Sequence, residues 1–245
     1  MLARMDRERF LDLLRADGDL LLLAAHRGLD PAVPSCPGWT VRDAVVHTAE
    51  VYEHKLACIA LAGERPDPWP PSWPDRDPLE WYADAHARLV ETLTATDPAA
   101  PSWTWWPDDR TAGFWVRRMA QETAVHRADV ESAFGPVSPI DAELAVDGVD
   151  EVLAMMLAGD WSDLPQPSLT GTAAVETGGR RWHVDLAPAL VTVTESGEPA
   201  AATVAGEPGD VLLWLWGRAP DSAVRIDGDA SSVGRFRERL ALATR

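Results

Sequence analysis

Residues 114–134, FWVRRMAQETAVHRADVESAF, carry helical periodicity and reactive groups on the same face. Trp115, Met119, Glu122, His126 and Val130 recur at three-and-four spacing, so one amphipathic helix places two polar side chains inside an apolar stripe. Burying a polar group without a partner costs roughly 2–7 kcal/mol, and an unpaired carboxylate more, so Glu122 has to meet a cation, a donor or a metal. Side chains four residues apart on a helix have Cβ atoms about 5–6 Å apart and can converge on one ion. A plainer reading competes: Glu122 turns outward to pair with Arg118 one turn back, and His126 is a hydrogen-bonded core histidine. A third ligand elsewhere in the chain would separate the two.

Upstream, residues 6–27 carry Phe10, Leu13, Leu14, Leu20 and Leu21 at helical spacing, with Gly28 as a stop signal. A proline-rich turn over residues 30–39 leads to Thr40 and Asp43, a capping-box pattern that opens a second helix over residues 41–61. Its face of Ala44, His47, Val51, His54, Cys58 and Leu61 is largely apolar but holds two histidines. His47, between Ala44 and Val51, is the better inward ligand, and His54 reads as a supporting or surface residue. Prolines exclude helix from residues 63–78, GERPDPWPPSWPDRDP, which is expected to be a long ordered loop. A third helix is predicted over residues 79–96, and a second loop over 97–111 carries Trp103, Trp105 and Trp106. The two loops form either a substrate rim or caps on the core, and they share one end of an up-and-down bundle only if one connection crosses over.

After Phe134 the segment GPVSPI marks a boundary, and the pattern changes. A fifth helix is expected over residues 141–159, followed by short β-like runs at 168–176, 181–186, 190–195 and 202–205. PGDVLLWLWGR, residues 208–218, reads as a helix ending at Gly217; a last strand at 224–226 and a closing helix at 231–243 follow. The expected organisation is two domains, residues 1–136 all-α and residues 137–245 α+β.

The net charge of −17 and a pI near 4.6 repel nucleic acid and anionic lipid, which leaves a small molecule or another protein as partner. Lys55 is the only lysine, a bias consistent with genomic base composition, whereas twelve tryptophans suggest apolar clefts as well as core. Residues 1–10 are charged and residues 20–25 form too short an apolar run for a signal peptide or membrane span, so a cytoplasmic protein, monomer or homodimer, is expected. Cys36 and Cys58 are expected as incidental free thiols.

His47 on the second helix, with Glu122 and His126 on the fourth, is similar to the metal triad of the DinB-like four-helix superfamily. The glutamate in place of the first histidine of the pair resembles the mycothiol-dependent maleylpyruvate isomerase family. Pro-Gly-Trp-Thr-Val at 37–41, the run Glu-x-x-x-His-Arg-x-Asp-Val-Glu at 122–131 and Leu-Trp-Leu-Trp-Gly-Arg at 213–218 match that family together. The resemblance implies a DinB-like bundle followed by a sterol-carrier-like α+β domain, Zn2+ or another divalent metal on His47, Glu122 and His126, and mycothiol as thiol cosubstrate. It also implies that Arg218 faces the active site, although an ordinary helix C-terminal cation, worth about 0.3–1 kcal/mol, would occupy the same position.

Two imidazoles and one carboxylate leave a zinc ion with net positive charge and an open position. A thiolate fills both needs, and no protein cysteine is well placed to supply it. The expected activity is attack of the thiol on an electrophilic small molecule, giving cis–trans isomerisation or S-transfer. Two alternatives stay open: a non-catalytic carrier with a structural metal, which a fourth protein ligand would favour, and a non-haem iron enzyme, because two histidines and a carboxylate also form the facial triad.

Overall fold

The computed structural model describes residues 5–67, 76–163 and 169–244, which form two compact units, one within residues 5–138 and one within residues 139–245. The first holds four long helices: α1 (Arg7–Ala25), α2 (Val41–Ala60), α3 (Pro78–Ala95) and α4 (Ala112–Ser132). Local chemistry sets their starts. The Asp6 and Asp77 carboxylates accept backbone N–H groups of the first turns of α1 and α3, and proline opens α3 where its missing N–H costs nothing. Thr40 and Asp43 form the expected capping box on α2, with the Thr40 N–H 2.7 Å from the Asp43 carboxylate.

Packing decides what the periodicity left open. α1 packs on α4 and α3, and α2 packs on α3 and α4, so the sequence neighbours α1 and α2, and likewise α3 and α4, are largely diagonal in space, whereas α2 and α3 lie side by side. Asp17 meets Arg127, and Arg27 stacks on Phe134, so α1 runs parallel to α4. Tyr82 donates to the Gly18 carbonyl and Arg7 to that of Thr94, so α3 runs antiparallel to α1. His47 faces His126 while Lys55 faces Trp115, so α2 runs antiparallel to α4. The order is up-down-down-up, and the connection between the parallel α2 and α3 therefore crosses over. Of the loop expected over residues 63–78, residues 68–75 lie outside the described residues.

The expectation of a simple amphipathic α4 is corrected. Besides the apolar stripe, Arg118, Gln121, Thr123, Arg127 and Asp129 are buried, so α4 is enclosed on nearly every side. Periodicity registers apolar residues only, whereas these polar side chains are buried in pairs. The Thr123 hydroxyl lies 2.6 Å from that of Tyr52 on α2, and Arg127 Nε lies 2.8 Å from Asp17 Oδ1 on α1, an ionic contact rather than an aligned hydrogen bond.

The second unit contains α5 (Ala142–Glu151), α6 (Pro208–Leu215) and α7 (Ala230–Ala243) with six strands: β1 (Gly159–Asp160), β2 (Gly171–Thr177), β3 (Arg180–Leu186), β4 (Leu190–Glu195), β5 (Ala202–Ala205) and β6 (Arg225–Gly228). The sheet order is β1-β4-β3-β2-β5-β6, antiparallel except for the parallel β2–β5 pair. The helix expected over 141–159 stops early. Val152–Leu157 widens to π geometry, and the short strand β1, unmarked by any alternation, takes residues 159–160. α7 packs on β2, whose central Ala173, Ala174 and Val175 are buried. Among the described residues, no helix is long and apolar enough to cross a membrane.

Candidate metal centre

The capping box sets the phase of α2 and puts His47 in its second turn, while Glu122 and His126 sit one turn apart on the antiparallel α4. One ligand atom from each of these three residues lies within 4.8 Å of the others, the one group of this kind among the described residues. Glu122 Oε1 is 3.3 Å from His126 Nε2 and 3.7 Å from His47 Nε2. Tetrahedral bonds of about 2.1 Å would separate ligand atoms by about 3.4 Å, so the donor set fits a divalent ion with small adjustments. The His47 side chain is 39% exposed against 14% for Glu122 and 9% for His126, so access is from the α2 side.

Supporting groups hold each ligand. Glu122 pairs with Arg118 without turning outward: Oε2 meets the guanidinium inside the bundle, and Oε1 faces the two imidazoles. Burial alone would raise the Glu122 carboxyl, but the Arg118 guanidinium, with hydrogen bonds from His126 and His47, holds it well below the usual carboxylate range. Asp129 Oδ2 lies 3.1 Å from His126 Nδ1, and Asp129 Oδ1 accepts from the Ser35 hydroxyl at 2.6 Å. This chain presents Nε2 of His126 to the cluster, the carboxylate–histidine arrangement that orients metal-bound imidazoles. Burial depresses His126, but the bonds to Asp129 and Glu122 reverse this and raise it to about 9, so the metal-free protein already holds a positive charge here. Trp39 covers both rings, its centroid 5.0 Å from that of His47 and 6.3 Å from that of His126.

The loops that deliver these helices are alike. Ala32 bridges to Thr40 ahead of α2, and Pro101 bridges to Thr111 ahead of α4, so each helix starts from a closed backbone turn. The quoted 122–131 run also gains a physical reading. Glu122 and His126 face the cluster and Asp129 orients His126, while Arg127 ties α4 to α1 and Glu131 accepts the Ser138 backbone N–H at 2.7 Å, fastening the chain after the helix. Arg118, Asp129 and Ser35 were not picked out from sequence as supports of the ligands. The first two had a signal, because they stand four residues before one ligand and three after another; Ser35 had none.

His54 is half-buried away from the ligand group, with Cys58 Sγ 3.8 Å away and its ring edge-on to Trp103, and burial lowers it to about 4. Cys36 and Cys58 are free thiols, and burial pushes Cys58 up to about 11. Arg218 lies in the second unit, just past α6. Gly217 takes φ +74°, the left-handed turn that lets the Arg218 and Ala219 N–H groups reach the Leu213 carbonyl. The Arg218 guanidinium donates to the Trp216 carbonyl at 2.7 Å.

Residues 10–131 match the family model described as Mycothiol maleylpyruvate isomerase N-terminal domain, and residues 143–235 match the MDMPI C-terminal domain. Among solved structures, a crystal structure of the mycothiol-dependent maleylpyruvate isomerase is similar at TM-score 0.62 and 16% identity, covering 92% of this chain and 95% of that one. A structure of a histidine-to-alanine mutant maleylpyruvate isomerase is similar at TM-score 0.60 and 14% identity, with the same coverage. At such identities the likeness concerns the fold. No curated protein matches the chain. The two family models between them account for both units, and the chain belongs to the mycothiol-dependent maleylpyruvate isomerase family.

Proposed function

We propose that the protein is a metal-dependent enzyme that uses mycothiol to attack an electrophilic small molecule, as a cis–trans isomerase of the maleylpyruvate type. The observation that carries this reading is the group of three ligand atoms from His47, Glu122 and His126, with no fourth His, Cys, Asp or Glu in it among the described residues. Three protein donors are the composition of a catalytic zinc site, which keeps a position for a reactant, whereas structural zinc is usually closed by four. When bound, zinc or another divalent ion would favour ionisation of a thiol in the remaining position near neutral pH.

This chain's residues do the rest. Asp129 holds His126 in the tautomer that leaves Nε2 free, Arg118 prevents Glu122 from taking up a proton, and Trp39 packs against both imidazoles while leaving His47 open to solvent. The ionised thiol adds to a conjugated carbon, the π electrons move onto the carbonyl as an enolate, the resulting single bond rotates, and collapse of the enolate expels the same thiolate to leave the trans isomer; uptake of a proton from water by the enolate carbon instead would complete S-transfer. In this reading the bundle, residues 1–136, supplies the metal ligands. The α+β domain, residues 137–245, supplies Arg218 to hold a substrate carboxylate and the enolate charge developing from it. The setting is cytoplasmic.

The test is metal analysis of the purified protein together with mycothiol-dependent conversion of maleylpyruvate by wild type and His126→Ala. Stoichiometric divalent metal and conversion lost in the variant are expected, and equal rates in the two proteins would refute the reading. A bound iron with oxygen-dependent activity would favour instead the facial-triad alternative that the same donor set allows.

A further inference from the structure

Lys55, the single lysine of a chain with net charge −17, stands on α2 two turns beyond His47. Its ammonium lies 4.7 Å from the centroid of Trp115 and 2.9 Å from His54 Nδ1, and these are its partners among the described residues; no carboxylate lies within 4.0 Å. No anion touches it, and the Glu122 charge acts on it only from beyond contact distance. Burial lowers His54 to about 4 and raises the Cys58 thiol to about 11, so at neutral pH both are uncharged. Trp103 packs edge-on against His54, and the Arg65 guanidinium lies 5.3 Å from the centroid of Trp103, adding a second cation to the aromatic wall. Burial also pulls Lys55 down to about 8, with the Glu122 charge offsetting part of this, so the group is still mostly protonated at pH 7.

A half-buried ammonium with aromatic walls and a neutral imidazole, in a protein rich in carboxylates that do not reach it, is a costly arrangement that an incoming anion would relieve. Its place matters. Along α2, eight residues correspond to about 12 Å between the α-carbons of His47 and Lys55, and side chains on a helix lean toward its N-terminus, here toward His47. Lys55 and Trp115 thus lie on the same α2–α4 seam as the metal-ligand cluster.

We infer that Lys55, walled by Trp115, Trp103 and His54, is a binding point for one carboxylate, distinct from the carboxylate assigned to Arg218, of a small electrophilic acid whose reactive carbon extends along the α2–α4 seam toward His47, Glu122 and His126. This rests on the proposed function for the identity of the reaction but not for the binding of the anion. Lys55 is a substrate-positioning residue with no bond-making step of its own.

Because the chain has one lysine, reductive methylation with 13C-formaldehyde labels one lysine side chain, whose NMR signal can be titrated in the metal-loaded protein with and without maleate. Maleate is expected to raise the pH midpoint of that signal by about 1 unit or more, as an opposite charge within contact distance does. Lys55→Met is expected to keep the metal content and the melting temperature, to raise KM for maleylpyruvate about ten- to a hundredfold, the loss of one charge-assisted hydrogen bond, and to leave kcat little changed. Lys55→Arg should recover most of the affinity. A lysine signal indifferent to maleate, with an unchanged KM in Lys55→Met, overturns the inference even if wild type isomerises maleylpyruvate. A maleate-dependent shift in a protein without thiol-dependent turnover would uphold the anion site while the proposed reaction falls. A lower melting temperature in Lys55→Met with unchanged KM would make Lys55 a structural residue and also overturn it.

Discussion

Asp129 offers the sharpest test of the ligand cluster, because it belongs to none of the three donors yet should govern one of them. It is fully buried, 3.1 Å from His126 Nδ1, and anchored by the Ser35 hydroxyl at 2.6 Å. Removing such a hydrogen-bonded support typically weakens metal binding by about 10- to 100-fold, or about 1.4–2.7 kcal/mol. Asp129→Asn keeps the volume, and its amide oxygen can still accept from Nδ1–H, so the loss should fall near tenfold. Asp129→Ala leaves both the imidazole donor and the Ser35 hydroxyl without this acceptor inside the bundle, so the loss should approach a hundredfold. Affinity is read by competition with a chromophoric chelator. The comparison belongs well above the value of about 9 to which His126 is raised, so that proton competition obscures the ligand effect less. Wild-type affinity in both variants would refute the claim that His126 reaches a metal through Nε2 with Asp129 behind it.

Arg127→Ala should cost about 3–5 kcal/mol in urea unfolding, because it strands the buried Asp17 carboxylate, and Arg127→Met combined with Asp17→Leu should recover much of that loss. Gly18→Ala should destabilise by about 1–3 kcal/mol despite a helix-propensity gain of about 1 kcal/mol, since a Cβ there would fall 2.1 Å from His86 Nε2; a more stable variant would show that His86 moves aside freely. His54 is held at about 4 in the folded protein against 6.5 unfolded, so between these values the unfolded chain binds the extra proton and stability falls as pH drops from 6.5 to 4. His54→Gln should flatten that part of the pH–stability curve, and an unaltered slope would assign it to other groups.

The helices were legible wherever apolar spacing and caps agreed. α2 starts at Val41 behind Thr40 and Asp43, as the capping box required, and α1, α3 and α4 lie within two residues of their expected bounds. Strands β4 and β5 fall on residues 190–195 and 202–205, as their β-like runs indicated. The π turn at Val152–Leu157 and the two-residue strand β1 were not legible, because neither has a periodicity of its own.

Within the cluster, the helical repeat made Glu122 and His126 neighbours without any tertiary information, since they stand one turn apart on the same face of α4. Placing His47 beside them is another matter. It depends on α2 lying next to α4 and running against it, in a bundle whose sequence neighbours α1 and α2 are mostly diagonal. The same adjacency sets the Trp115 ring over Lys55 and joins Tyr52 to Thr123. Local spacing specifies which side chains share a helix face, because the 3.6-residue turn is fixed by backbone hydrogen bonds; which faces meet is decided by the packing of the whole bundle, and no short-range pattern encodes it.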